Sequence, residues 1–278
     1  MLMLAAIRVR LWWTIFRVSL DERLVYRADF ALGTLMRFLP IVTHILMFRA
    51  IYTAVNGDNI AGYTFRDMVA YQLLIMISRA FSSMPTLASE IAFQIREGEI
   101  KKYLIQPIDM IGFLLLKRVA WKLVYYGIAI IPFSLVFYLC RSYFPGWPDA
   151  TTMAVYVMSL GMAFLMGFFL EATIGIIGFW FLEISSLLLV YNLFNYLLSG
   201  HMFPLEMLQK MPAAVEWLFH VLPFKYLAYF PASIFLGKVQ GTALIYGLGT
   251  QFAWLIFFFG LCRLSYGYGL KRYSGFGG

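Results

Sequence analysis

Residues able to do covalent chemistry are few in this chain, and their spacing does not converge. The three histidines, His44, His201 and His220, share no zinc-ligand spacing, and no His-Glu-x-x-His pair occurs. Cys140 and Cys262 form no metal-binding pattern either. There is no Gly-x-Ser-x-Gly nucleophile turn. A phosphate-cradling loop is also missing: Gly237-Lys238 is followed by Val239 and lacks the earlier glycine. The expectation is a non-enzyme with no catalytic residue, no metal site and no cofactor of its own. If ATP and Mg are used, a separate subunit must bind them.

What remains is polar side chains inside apolar runs, where each is costly and therefore informative. Gln72, Arg79 and Ser83 lie at spacings of seven and four, on one helix face. Ser185, Asn192 and Ser199 recur every seven residues, with Asn195 beside them. These two stripes either hydrogen-bond to neighbouring helices or line a translocation path. Ser159, Ala163, Gly167, Glu171 and Gly175 form a row at spacing four, the signature of a close helix–helix seam. Arg79 and Glu171 fall at similar depth, so they either pair structurally or line a path. Arg37 and His44 share a face of the first apolar run, where Arg37 can snorkel to a surface.

The elements that must hold these residues follow from composition. The chain has 278 residues, of which 62% are hydrophobic and 13% charged. A soluble domain is about 25% charged. Apolar runs recur that are long enough to cross ~30 Å of hydrocarbon. We therefore expect an all-α polytopic membrane protein, a single transmembrane domain over 1–278. Six spans are expected near 28–52, 65–88, 111–140, 151–180, 184–200 and 241–266. Residues 1–27 read as an amphipathic helix lying in the interface plane. Arg10, Thr14, Arg17 and Asp21 occupy one face, Leu4, Ile7, Leu11 and Val18 the other, and Trp12 and Trp13 sit at headgroup level. The arginines at 8, 10 and 17 interrupt any signal-peptide core.

Net charge is +8, but the basic residues lie between apolar runs rather than on one soluble face, which argues against nucleic acid. They set orientation instead. Arg8, Arg10, Arg17, Arg23, Arg27, Arg96, Lys101, Lys102, Lys117, Arg118, Lys122, Arg263, Lys271 and Arg272 fall on one side, placing both termini in the cytoplasm. Cys140 and Cys262 then lie near opposite faces and are not expected to pair. Residues 201–240 form a long outer connection, too apolar for a solvated loop. Pro204, Pro212, Pro223 and Pro231 divide it into short pieces that dip into the membrane as a re-entrant segment.

The densest charge lies elsewhere. Within Arg96-Glu97-Gly98-Glu99-Ile100-Lys101-Lys102, five of seven residues are charged. This falls in the cytoplasmic connection 89–110. Gly98 permits a turn, Glu99 favours the start of a short helix, and Pro107 stops it. Ile91 and Ile95 supply an apolar face upstream. The segment reads either as a docking knob or as a solvated, positively biased turn.

A resemblance bears on that choice. Arg96, Gly98, Glu99, Ile100, Leu104 and Pro107 resemble a motif of the ABC-2-type transporter permeases, with Gln106 where a basic residue is usual. Ser199, Gly200, Phe203, Pro204, then Leu222, Pro223, Phe224, then Pro231, Leu236 and Gly237 resemble that family's outer-loop pattern, with Phe230 in place of a common Tyr. Tyr26-Arg27-Ala28-Asp29-Phe30 is a weaker match. The resemblance implies the membrane subunit of an ATP-driven bacterial exporter in the inner membrane. It implies a cytoplasmic P-loop ATPase partner, a second permease chain and contacts with membrane lipids. Ile91, Ile95, Arg96, Gly98, Glu99, Lys101, Lys102, Leu104 and Pro107 would form the ATPase-coupling segment. Residues 1–27 would be a connecting helix, and the runs at 65–88 and 184–200 would line the path. The cargo would be an amphipathic small molecule, drug, lipid or glycan. The alternatives are an ATP-independent carrier, which ordinarily shows inverted repeats not apparent here, and a membrane scaffold.

Overall fold

The computed structural model describes residues 2–24, 36, 39–55, 59–106, 108–144, 146–181, 183–208, 217, 219 and 221–273. In chain order these contain α1 (Leu2–Leu24), α2 (Leu39–Val55), a hairpin of β1 (Asn59–Ile60) and β2 (Tyr63–Thr64), α3 (Phe65–Ser82), α4 (Leu87–Arg96) and α5 (Lys101–Leu104). There follow α6 (Met110–Leu139), α7 (Ala150–Ile176), α8 (Ser185–Leu198), α9 (Tyr229–Phe235) and α10 (Gly241–Arg272). Short 3-10 turns lie at Ile177–Phe179, Leu205–Leu208 and Pro223–Leu227.

Among the described residues, three segments are long and apolar enough to cross a membrane: Met110–Leu139, Ala150–Phe179 and Gly241–Arg272. Leu39–Val55 and Ser185–Leu198 are shorter apolar helices. This is an all-α membrane architecture, apart from the two-residue strands.

The ends of these helices have local causes. Thr64 caps α3 in a reciprocal box: the Asp67 amide donates to Thr64 Oγ1 (3.2 Å), and the Thr64 amide donates to Asp67 Oδ2 (3.0 Å). Asp109 caps α6 by accepting from the Gly112 amide at 2.7 Å. Asp149 caps α7, accepting from the Thr151 and Thr152 amides. Ala61 and Gly62, both at positive φ, close the hairpin as its primed turn requires.

The run expected as one span over 65–88 is broken. α3 stops at Ser82, Ser83 is extended, and α4 restarts at Leu87. Pro85 accounts for the break, because it disfavours helical backbone at Met84. α10, by contrast, runs to Arg272, six residues past the expected end at 266.

The chain forms two compact units, Met1–Thr43 with Ile100–Arg141, and His44–Glu99 with Ser142–Gly278. In the first, α1 packs along α6. A Cβ on Gly112 would lie 3.1 Å from the Trp12 ring. Ser19 is buried while Val18 is 62% exposed. The side of α1 that meets α6 carries Trp12 and Ser19, and the side chains of Leu4 and Ile7 lie outside the described residues. Arg10, Thr14, Arg17 and Asp21 are exposed, as the pattern required.

The second unit is organised on α7, which meets α3, α4, α9 and α10. The small-residue row makes this contact. A Cβ on Gly167 would stand 2.1 Å from the Ser82 carbonyl oxygen, and one on Gly175 would stand 2.8 Å from that of Ala88. At its far end, Ser159 Oγ donates to Gln251 Oε1 (2.9 Å), and Gln251 Nε2 donates to the carbonyls of Ser159 and Tyr226. The row is a packing seam.

Candidate functional site

Two regions carry the residues singled out from the sequence. The first is the charged connection. Its upstream half belongs to the second unit. α4 lies flat on α7 and the turn after it because Gly175 and Gly178 leave room for Ala88, Ile91 and Ala92. Ile91 and Ile95 are buried, 1% and 6% exposed. They fasten α4 rather than offer a surface. Phe93, on the other face, is 49% exposed and carries the Arg96 guanidinium over its ring at 5.6 Å. Arg96 also reaches Glu97 at 3.2 Å and Glu183 at 3.9 Å.

The turn follows at Gly98, with φ +71, a conformation that strains a residue bearing a Cβ. The Gly98 amide donates to the Ile95 carbonyl, and its own carbonyl accepts from the Tyr273 hydroxyl at 3.0 Å. Tyr273, just past the end of α10, also packs edge-on against Phe179. Glu99 is exposed. Glu183 lies nearby in sequence space to α8, which it starts by accepting from the Ser185 amide at 3.0 Å and from the Ser185 hydroxyl. The Ser185 hydroxyl, with smaller help from the amides and Arg96, holds the Glu183 carboxyl below the usual range.

The downstream half belongs to the first unit. Lys101 is exposed, Lys102 lies over the Tyr103 ring at 5.3 Å, and Tyr103 packs on Phe113. Leu104 is 48% and Ile105 81% exposed. Pro107 lies outside the described residues. Sequence reasoning missed Phe93 and Ile105 as the exposed apolar residues. The available signal was their register: Phe93 is two residues from both Ile91 and Ile95, so it must face away from them.

The second region joins α3 to the residues after α8. Gln72, 4% exposed, donates to the Met202 carbonyl at 2.9 Å, and the Tyr71 hydroxyl donates to the Gly200 carbonyl at 2.5 Å. Arg79 Nη1 stands 2.7 Å from His201 Nε2. A guanidinium only donates, so Nε2 accepts and the ring proton sits on Nδ1. That Nδ1 is buried without a partner among the described residues. His44 meets the same ring edge-on at 6.1 Å. Glu206 receives hydroxyls from both Tyr229 and Tyr63, the latter at 3.3 Å. Burial first, then the Glu206 charge, raises Tyr229 far above the ordinary phenol range.

Glu171 accepts from the Tyr191 hydroxyl (3.4 Å) and the Met84 amide (3.3 Å), placing it between α8 and the end of α3. Asn195 reaches the Tyr191 hydroxyl at 3.5 Å. Ser199 is buried, and its carbonyl accepts from the Tyr229 amide. Ser83 is partly buried, and Asn192 is exposed. Arg37 lies outside the described residues. The structure thus gathers Gln72, Arg79 and Ser199 around the first residues of the outer connection and leaves Asn192 apart. Phe230 through Phe235 in that connection are buried, which explains why so apolar a segment is not a solvated loop.

These features describe a helical membrane protein with a charged, partly apolar connection. The family model described as ABC-2 family transporter protein matches residues 38–277. The chain belongs to the ABC-2 transporter family, as a multi-pass membrane component with a permease role in transport. No curated protein matches it.

Proposed function

We propose that this chain is the permease half of an ATP-driven exporter of the bacterial inner membrane, with six spans and both termini cytoplasmic. A soluble P-loop ATPase docks on residues 93–105, and a second permease chain completes the path. The cargo is an amphipathic molecule of the small-molecule, drug, lipid or glycan kind. The observation that supports this most is the exposure of Phe93 on α4 beside Arg96 and Glu97; Leu104 and Ile105, in the first unit, are each exposed as well. An exposed aromatic side chain flanked by charge suits a docking surface. Ile91 and Ile95 fasten that surface to α7, so a push on it reaches a long apolar helix. ATPase closure then switches the bundle between inward and outward access.

Affinity purification of the chain from native membranes in mild detergent, with mass spectrometry, tests the proposal. A P-loop ATPase should co-purify at near one-to-one. Recovery of the permease without any ATPase, even after crosslinking at Lys101 and Lys102, would overturn it.

A further inference from the structure

Within the first unit, α1 and α6 leave an open-sided groove of about 230 Å³, lined by Thr14, Ile15, Val18, Ser19, Glu22, Phe113 and Lys117. Pockets that enclose a whole drug-sized ligand run to about 300–1,000 Å³. This groove fits part of an elongated molecule whose remainder lies outside it. Its walls are mostly carbon, from Ile15, Val18 and Phe113. Ser19, at 6% exposure, is its buried side. Two opposite charges, Glu22 and Lys117, border it. Neither forms an ion pair with the other among the described residues, although both line one small groove. α1 also presents Trp13 at 63% exposure beside exposed Arg10 and Arg17, the make-up of a helix at the headgroup level.

We propose that this groove is a phospholipid site selective for a primary-ammonium headgroup. The Glu22 carboxylate takes the ammonium, Lys117 takes the phosphate, and the apolar walls take the upper part of one acyl chain. A carboxylate and a lysine held apart match the separated charges of such a headgroup. An anionic headgroup without a cation leaves Glu22 opposed to it. A quaternary ammonium has no N–H to donate. The site requires only that the chain sits in a membrane, so it stands or falls separately from ATPase docking.

The test uses the purified full-length chain in detergent micelles. Each sample is supplemented with phosphatidylethanolamine, phosphatidylcholine or phosphatidylglycerol of identical acyl chains. Thermal unfolding and native mass spectrometry are read together. Phosphatidylethanolamine should raise Tm by about 3 °C more than the other two and remain as one retained adduct. Glu22→Gln and Lys117→Gln should each weaken its retention about tenfold, the loss of a charge-assisted hydrogen bond. Ser19→Leu should block the groove. If that variant does not fold, the two charge variants at the lip still decide. Equal shifts for all three lipids, a preference for phosphatidylglycerol, or unchanged retention in Glu22→Gln would each overturn the proposal.

Discussion

α3 and α8 carry polar residues at the same seven-residue spacing, and the structure uses them differently. On α3, Gln72 and Arg79 turn inward and hold Met202 and His201. On α8, Asn192 is exposed, while Ser199 at the helix end is buried. The α3 stripe is an anchor for the start of the outer connection. The α8 stripe is anchored at one end and open in its middle. Spacing reports that residues share a face, but what meets that face decides between holding and lining.

The comparison can be broken most severely at the seam beneath α3. Gly167→Leu drives a side chain into the Ser82 carbonyl, where even a Cβ would stand at 2.1 Å. A loss of about 3 kcal/mol or more is expected, read as a collapse of Tm in detergent. Glu206→Ala comes next. It removes the acceptor shared by the Tyr63 and Tyr229 hydroxyls, at about 2–3 kcal/mol. Easier proteolysis within 200–230 should accompany it.

The two stripes themselves are compared by one substitution made twice. Gln72→Leu strips the Met202 carbonyl of its donor and should cost about 1–3 kcal/mol. Asn192→Leu should stay within about 0.5 kcal/mol, so any transport defect in it would report on the path. Equal thermal shifts for the two would erase the distinction. The smallest effect is expected at Glu183. Its carboxyl is held below the ordinary range, so it stabilises the start of α8 at neutral pH. That contribution fades as pH falls through and below about 4. Hydrogen exchange at the first turn of α8 should speed up there in the parent and stay flat in Glu183→Gln.

Much of the architecture was legible because hydropathy reports long apolar helices directly. α6, α7 and α8 begin and end within two residues of the runs read at 111–140, 151–180 and 184–200 apart from the short turn closing α7. The turn at Gly98 was legible too, since Gly98 occupies a left-handed conformation that glycine adopts without strain. The break after Ser82 was written in Pro85, yet apolar residues on both sides masked it. The tyrosine shell of Glu206 was not legible. Tyr63 and Tyr229 come from separate segments, and nothing local marks an aromatic hydroxyl as a partner for a distant acid. The clasp of Tyr273 on Gly98 spans 175 residues for the same reason.

The central claim is the proposal that an ATPase docks along the connection that carries Phe93 and Ile105, while the buried Ile91 and Ile95 fasten α4. Site-directed crosslinking measures this most directly. Single cysteines are placed at Ile105, Phe93 and Ile91 in a chain lacking Cys140 and Cys262, labelled with a benzophenone maleimide, and photoactivated in native membranes. The account predicts that Ile105→Cys and Phe93→Cys each join the chain to one soluble ATPase, while Ile91→Cys joins to none. An ATPase captured from position 91 as readily as from 105, or from none of the three in membranes that hold it, would contradict the account.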